Sequence, residues 1–484
     1  MLVGTTRDNS CVTVEIRTES FDSDKPGIFA MHLLEAEVKP SLSRAKPPRL
    51  PLAILAIALL PLQITIAAPT RDDVLAWLEE FRYAHDGLTT NTIIAIEHFD
   101  VLKPFVVPGF FEAMQFPEVA IEIEQAYRFE APAIYQKATL EGGDSATLGA
   151  NGALEGYAAG MPFSHARIAA GLPSEAGLMV AWNHIHRWQY YGYKSPEMRI
   201  SLVRPNTGGE RKVLSPGLEG GGIVDRFITT SYHRVYLSHL AMLPGQAYRI
   251  DLDDADRFLW KEFFEFFEPF DVKGTKFVIE RAFADLDDQV NSYLPSQRRV
   301  RRLSAKERAD SFMGTDFTFD DFAVFSGRVF DFKWTYLGQK SILFVANSKH
   351  ENAKFYGPSS LIPKDRWQVR RCYVVELTPV WKDHPYASRL MFIDRENFEA
   401  AFAAIFDHNG DLWKSLYTVV QAPQDNTGND AIVGKSVVSW RASIAFDHKN
   451  NRGSVGIGEP VAHPTMNASK VRQTFDVSNL TSGR

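Results

Sequence analysis

An aromatic alternation between residues 330 and 336 constrains the fold more than any other feature of this sequence. Aromatic residues occupy every second position and polar residues lie between them: Phe330-Asp331-Phe332-Lys333-Trp334-Thr335-Tyr336. Successive side chains of a β-strand point to opposite faces of its sheet, so this pattern predicts a strand with one aromatic face. The next residues predict a turn, Leu337-Gly338-Gln339-Lys340, and residues 342–345 predict the antiparallel return strand.

Further strands are predicted along the second half of the chain. Residues 366–377 alternate again, which places Trp367 and Tyr373 on one face. Three more strands are predicted at 389–393, 401–406 and 412–419, and Asn409-Gly410, a strong hairpin signal, joins the last two. A hairpin through residues 449–453 follows the strand at 440–446. Short turns between strands predict an antiparallel meander rather than a series of βαβ units.

The residues before about position 175 have a different character. Val74, Trp77, Leu78 and Phe81 recur with helical period, and Asp72 or Asp73 can cap that helix. We therefore predict an α+β protein, with an α-rich N-terminal segment over residues 68–175 and an antiparallel β domain over residues 176–484.

Residues 1–67 are predicted to be a leader. The only long apolar run in the sequence extends from Leu50 to Ala68, behind a flank that contains Arg44 and Arg49. This arrangement is typical of a secretory signal peptide, and we expect cleavage near Ala67 and export. An uncleaved membrane anchor is the alternative, because a spanning helix needs about 20 apolar residues and the run is borderline. The run begins late, so residues 1–44 are interpreted as a gene-model artefact.

Composition excludes several classes of protein. The formal net charge is -6, which is not the basic surplus typical of nucleic-acid binding. Two cysteines, Cys11 and Cys372, exclude a disulfide scaffold. Aromatic residues make up 12% of the chain, so either the core is thick or some apolar surface is kept for a ligand.

Motifs for catalysis or metal binding are weak. If residues 182–188 form a strand, His184 and His186 face one way and could begin a metal site, but no third ligand follows at a fixed spacing, and a structural role is favoured. The acidic clusters at residues 251–256 and 285–288 are interpreted as solvated loops. No Gly-x-Ser-x-Gly, phosphate loop, His-Glu-x-x-His or Cys-x-x-Cys motif occurs. We therefore expect no catalytic residue, no metal and no cofactor.

The densest basic run consists of Arg298, Arg299, Arg301 and Arg302 around Val300. Two interpretations stay open. The arginines could grip anions, either lipid headgroups or the acidic patch of a partner, or they could form a salt network with the acidic loops.

Several of these motifs resemble a known family. The run from Tyr293 through Pro295 to Arg302 is similar to the Tyr-x-Pro-x-x-x-Arg-x-Arg strand of outer-membrane lipoprotein-sorting proteins, relatives of the LolA and LolB chaperones. The segment from Gly314 to Asp321 is similar to their Gly-x-Asp-Phe-x-x-x-Asp turn. Over roughly residues 150–450 the chain more closely resembles the family called domain of unknown function 1329, through features in consistent order: Gly160-Met161-Pro162-Phe163, Trp182-Asn183-His184, Arg187, Trp334, Gly338, Lys340, Trp367, Arg371, Val375, Glu376, Arg389, Asp394, Asp407, Gly410, Trp413 and Lys414. Phe163 lacks the usual following proline.

The resemblance implies a large curved antiparallel sheet, an incomplete LolA/LolB-like barrel, around an apolar cavity. It implies no catalytic residues, and an association with exporters of the resistance-nodulation-division type. The leading hypothesis is a non-catalytic periplasmic carrier or binding protein for a lipidic or hydrophobic ligand in outer-membrane traffic, with outer-membrane association left open. The alternatives are an accessory or scaffold protein of such an exporter or of an envelope complex, and a hydrolase with a dispersed site.

The predicted ligand site is the aromatic face, with the four arginines as its basic grip. Its members are Phe330, Phe332, Trp334, Tyr336, Trp367 and Tyr373. The alternative for the stripe at residues 330–336 is plain core packing beneath helices.

Overall fold

The computed structural model describes residues 68–209, 215–283, 286–423, 437–459 and 461–481. The predicted signal peptide therefore lies outside the described residues. No helix in the described ranges is both long and apolar enough to cross a membrane. The α-helices are α1 (Arg71–Glu80), α2 (Phe110–Ala113), α3 (Ala133–Gly142), α4 (His165–Ala170), α5 (Pro173–Ile185) and α6 (Ala468–Phe475).

The strands before residue 304 are β1 (Thr92–Ala95), β2 (Ala120–Ile123), β3 (Thr147–Leu148), β4 (Leu154–Glu155), β5 (Gly192–Arg204), β6 (Ile223–Tyr236), β7 (Phe258–Glu268), β8 (Lys276–Ala282), β9 (Gln289–Leu294) and β10 (Arg299–Leu303). The later strands are β11 (Phe332–Phe344), β12 (Phe355–Tyr356), β13 (Ile362–Pro363), β14 (Arg366–Pro379), β15 (Ser388–Asp394), β16 (Ala400–Phe406), β17 (Leu412–Gln421), β18 (Ser439–Asp447) and β19 (Arg452–Glu459).

One sheet organises the fold. Among the described residues it has 15 strands in the order β1-β2-β14-β15-β16-β17-β18-β19-β5-β6-β7-β8-β9-β10, with β11 also paired to β14. All of its neighbouring pairs are antiparallel except β2 with β14, where Arg366 and Trp367 pair in parallel with Glu122 and Ile123. The sheet does not close into a barrel. The predicted α+β class with a large open antiparallel sheet is therefore confirmed.

The hairpin predicted between residues 330–336 and 342–345 is wrong. A single strand, β11, covers both segments and pairs along its length with β14. Gly338, with φ of 112°, sits where the register shifts by one residue after Tyr336, so the glycine forms a bulge rather than a turn. Phe330 precedes the strand, in a 3-10 turn over Val329–Asp331. The hairpins predicted through Asn409-Gly410 and through residues 449–453 are confirmed.

Two hydrophobic clusters form the core. In the first, residues from most of the strands pack on α4, α5 and the segment 312–334, so the sheet curves around them. In the second, α1, the 3-10 helix Ile96–Phe105 and α2 pack with the strands from β14 to β19. Both clusters join N-terminal helices to the sheet, and the predicted boundary at residue 175 falls inside α5.

Helix α5 lies directly on strand β11. It begins at Pro173, whose fixed φ suits the first helical turn. Gly177 is buried, and a Cβ atom at that position would lie 2.8 Å from both the carbonyl carbon and the oxygen of Trp334. The absence of a side chain at Gly177 therefore permits the close approach of the helix to the strand.

Buried ion pairs fix the segment between β10 and β11 against the sheet. Arg308 donates to Asp320 at 2.8 Å, and Arg281 on β8 donates to Asp288 at 2.6 Å. Arg389 on β15 donates to Asp321 at 2.5 Å. Asp288 is buried, so the interpretation of residues 285–288 as a solvated loop is wrong at this residue. Its charge can be buried because Arg281 and Arg308 compensate it.

Candidate functional site

The predicted aromatic face is largely enclosed within the protein. Phe332, Trp334, Trp367 and Tyr373 are buried, and Trp334 is 2% exposed. The indole Nε1 of Trp334 donates to the carbonyl of Val329 at 2.9 Å, beneath α5. Phe330 and Tyr336 are half-buried against the first cluster. Ligand binding through these six residues stays a prediction, and their positions favour the packing alternative.

Trp367 and Tyr373 contribute to different clusters, although both belong to β14. The ring of Trp367 lies 6.5 Å from that of Phe110 in the second cluster. The ring of Tyr373 lies 5.9 Å from that of Tyr336 in the first. Strand β14 pairs with β2 at its first residues and with β15 only from Cys372 onward, so its two halves have different surroundings.

The basic run lies on and just before β10, the strand at one edge of the sheet. Arg298 occupies the turn before β10 with φ of 50°, and Arg299, Arg301 and Arg302 lie on β10 itself. All four side chains are exposed. Arg299, Arg301 and Arg302 form no ion pair with another described residue, and both interpretations of the run stay predictions.

A cavity of about 350 Å³ opens beside α3, and we call it the α3 cavity. Three chain segments that are distant in sequence form most of it: residues 129–140, residues 161–188 and the turn between β15 and β16. Half of the lining residues are apolar or aromatic: Phe129, Ala131, Tyr135, Leu140, Met161, Trp188, Phe398 and Val438. Its polar members are Glu130, Gln136, Thr139, His165, Arg187, Glu396, Asn397 and Glu399.

Hydrogen bonds hold α3 in place over the end of α5. The Tyr135 hydroxyl donates to the carbonyl of His186 at 2.9 Å. The backbone N–H of Met161 donates to Thr139 Oγ1 at 2.8 Å. The ring of Trp188 meets that of Tyr135 edge-on, with centroids 5.9 Å apart. These contacts give the cavity a wall of fixed aromatic side chains.

One charged pair lies in the wall of the α3 cavity. Arg187 Nε lies 2.8 Å from Glu399 Oε1, and Arg187 Nη1 donates to the carbonyl of His184 at 2.7 Å. Burial lowers the pKa of Arg187 and the Glu399 carboxylate raises it, and the net direction is upward. The two charges compensate each other, so this part of the wall is polar without a net charge.

His165 and Phe398 form the wall nearest to the sheet. Their rings are stacked, with centroids 5.7 Å apart and planes 10° apart. His165 Nδ1 lies 2.6 Å from the Tyr373 hydroxyl, so the predicted residue Tyr373 lies directly behind this wall. Burial, together with the charge of Arg395, lowers the pKa of His165, which leaves the imidazole neutral at pH 7.

His184 and His186 do not form a metal-binding pair. They lie at the end of α5 rather than on a strand, so two residues apart they point in different directions. His184 Nδ1 contacts the carbonyl of Phe398 at 2.8 Å, and burial lowers the pKa of His184 to about 3. The described part of the chain contains no group of three His, Cys, Asp or Glu residues that could hold a metal ion.

A second depression, of about 700 Å³, has ion pairs on its border. It lies between β2 and the turn after β12, and Phe116 and Tyr356 contribute to its wall. Its border carries the ion pair of Lys364 with Glu219, 2.9 Å apart, and that of Lys349 with Glu122. A hydrophobic ligand there would have to desolvate these charges.

Sequence reasoning missed most of the α3 cavity. Among its lining residues only Met161 and Arg187 belong to the family features found in the sequence. Phe129, Tyr135 and Phe398 come from separate segments that tertiary packing brings together, so no spacing in the sequence marks them. The structure adds one sign of the site: Leu140 is an apolar residue that is 82% exposed on the short helix α3.

One protein family and several solved structures are similar to this chain. The model of a family described as "Protein of unknown function (DUF1329)" matches residues 110–480. No curated protein matches the chain. A solved DUF1329 protein from Desulfovibrio piger is 17% identical, with 64% of this chain and 100% of that chain covered and a TM-score of 0.42.

Two further solved structures are similar to this chain. An outer membrane lipoprotein-sorting protein domain from Vibrio parahaemolyticus is 15% identical, with 64% of this chain and 99% of that chain covered and a TM-score of 0.42. A LolA superfamily protein from Nitrosomonas europaea is 14% identical, with 62% and 97% covered and a TM-score of 0.35.

Proposed function

We propose that this chain, which belongs to the DUF1329 family, is a non-catalytic carrier or binding protein for a lipidic or hydrophobic ligand. The observation that carries the proposal is the α3 cavity, whose wall is half apolar or aromatic and whose one cation, Arg187, is paired with Glu399. The carrier works in the periplasm, in traffic towards the outer membrane, after its leader is cleaved near Ala67.

The size and chemistry of the α3 cavity suit part of a lipid. Its volume of about 350 Å³ falls in the usual range for small-molecule sites, which are mostly apolar with a few polar groups. Burying one CH₂ group contributes about 0.8 kcal/mol, so about six such groups would contribute about 5 kcal/mol. Part of an acyl chain is therefore enough for useful binding.

The side chains of the cavity wall support a binding role rather than catalysis. Its lining includes no serine or cysteine. Its one aliphatic hydroxyl belongs to Thr139, which donates to the carbonyl of Tyr135 at 2.9 Å and accepts from Met161. The His165 ring is stacked on Phe398, and its Nδ1 is hydrogen-bonded to the hydroxyl of Tyr373, which is buried behind the wall.

A pair of equally exposed residues tests the site. Leu140→Glu places a charge at the mouth of the α3 cavity, and Tyr83→Glu places the same charge after α1. The two native side chains are 82% and 85% exposed, so we expect little effect on stability from either change. Titration with a fluorescent fatty acid should show binding at least about fivefold weaker in Leu140→Glu, because the change removes apolar contact, and unchanged binding in Tyr83→Glu.

Two results would count against the proposal in different ways. If wild type and Leu140→Glu bind the probe with equal affinity, the ligand binds somewhere other than the α3 cavity. Wild-type protein that binds no lipidic probe would remove the carrier function. The alternative, an accessory or scaffold protein of a resistance-nodulation-division exporter or an envelope complex, would then come first.

A further inference from the structure

The turn between β7 and β8 exposes an aromatic residue almost completely. Phe270 is 94% exposed, and Phe267, three residues earlier, is 38% exposed. Single exposed apolar residues are common on protein surfaces. This one differs because of what lies beside it.

The exposed turn lies next to the basic run. Lys276 at the start of β8 is paired with Tyr293 on β9, which is paired with Val300 on β10. The turns 269–275 and 295–298 therefore leave the sheet at the same end. A Cβ atom on Gly274 would lie only 3.1 Å from Pro295 Cγ, which shows that the two turns are in contact.

The charge of this end of the sheet is positive. Lys273, Arg298 and Arg299 are exposed in the two turns and at the start of β10, and Arg301 and Arg302 follow along the strand. Asp271, an acidic residue of the first turn, is already paired with Arg226 at 2.8 Å. We call the set of Phe267, Phe270, Lys273, Arg298, Arg299, Arg301 and Arg302 the basic tip.

We propose that the basic tip docks on the surface of a lipid bilayer that contains anionic lipids. Phe270 enters the boundary between headgroups and acyl chains, while the lysine and arginines contact lipid phosphates. An exposed aromatic side chain at an end of the sheet where cations outnumber carboxylates complements such a surface. Arginine-rich edge strands are also poor templates for pairing with another strand, which disfavours a protein partner at β10. The surface is separate from the α3 cavity, so docking does not depend on the proposed ligand.

Vesicle binding tests the proposal directly. Purified protein is mixed with phosphatidylcholine vesicles, with or without about 30% phosphatidylglycerol, and bound protein is measured by flotation. We expect binding to the anionic vesicles only, and weaker binding as salt rises because exposed charges are screened. Phe270→Ser should weaken binding about tenfold, since the apolar contact is lost. The double variant Arg299→Glu with Arg301→Glu should weaken it more than about twentyfold.

Matched controls separate docking from general effects. Tyr83→Ser removes an equally exposed aromatic residue, and Lys103→Glu with Lys333→Glu makes the same change in net charge at exposed positions away from the basic tip. Neither control should alter vesicle binding. Phe270→Trp should bind at least as tightly as wild type, because tryptophan favours the membrane interface.

The opposite results would overturn the proposal. They are equal binding to neutral and anionic vesicles, no binding to anionic vesicles, or equal losses in the basic-tip variants and their controls. The fluorescent fatty-acid titration of the same variants should be unchanged, so failure of docking and failure of the carrier function are distinguishable.

Discussion

Replacing Gly177 with alanine tests whether α5 is a fixed part of the core. In an ordinary helix interior, Gly→Ala stabilises by about 1 kcal/mol. At this position the new methyl group would lie 2.8 Å from the backbone of Trp334, a distance that side-chain Cβ atoms essentially never show. The atoms that the methyl group would meet belong to the backbone of β11 and not to the end of a flexible side chain, so either the helix or the strand must move.

The two effects can be compared. Overpacking a well-packed core costs about 1–3 kcal/mol, and a backbone contact belongs in the upper half of that range. After subtracting the propensity gain of about 1 kcal/mol, we expect Gly177→Ala to lower the free energy of unfolding by about 1–2 kcal/mol. The melting temperature should fall by about 1–2 °C, because the entropy of unfolding is large for a chain of this length.

Gly142→Ala is the matched control for this measurement. Gly142 ends α3, and a Cβ atom there would meet only the carbonyl oxygen of Ala159, at 3.8 Å. Urea unfolding followed by circular dichroism should therefore show a neutral or stabilising change in Gly142→Ala and a loss in Gly177→Ala. If Gly177→Ala stabilises the protein as much as the control does, the helix does not pack on β11 as described.

Three further changes test the core and its charges. Trp334→Asp should collapse the thermal melt, because it buries an unpaired charge in place of a large side chain; an intact melt with loss of fatty-acid binding would support the aromatic face as the ligand site instead. Asp321→Asn should lower the free energy of unfolding by about 3–5 kcal/mol, since it leaves the buried Arg389 charge uncompensated; a urea midpoint near that of wild type would contradict this. Burial lowers the pKa of Lys340 to about 8. The unfolded chain then binds that proton more tightly than the folded protein, so Lys340 should make stability rise between about pH 8 and 10.4. Urea midpoints across this range should show a smaller rise in Lys340→Met, and equal rises would refute the assignment.

The sequence predicted the strands after residue 330 because strand period is a local property. The strands from β14 to β19 and the hairpin at Asn409-Gly410 depend on alternation and turn chemistry within a few residues. The prediction failed at Gly338, because glycine with positive φ is equally compatible with a turn and with a β-bulge. Only pairing with the 14-residue strand β14 decides between them, and pairing is not visible in the local sequence.

The site was harder to predict than the fold. Aromatic alternation signals burial of one strand face, but it does not say whether ligand or protein covers that face. Here α5 covers it, through a contact that depends on Gly177. The α3 cavity depends on the packing of three distant segments, and residues such as Phe129 and Phe398 carry no local signal.

Helix α5 links the core to the cavity. Its first half lies on β11 at Gly177, and the residues that follow its last turn, Arg187 and Trp188, form part of the α3 cavity wall. A displacement of the helix should therefore change both stability and the cavity. If Gly177→Ala destabilises the protein and also weakens fatty-acid binding, α5 positions the wall. If stability falls while affinity is unchanged, α3 and the turn between β15 and β16 hold the ligand without a contribution from the position of α5.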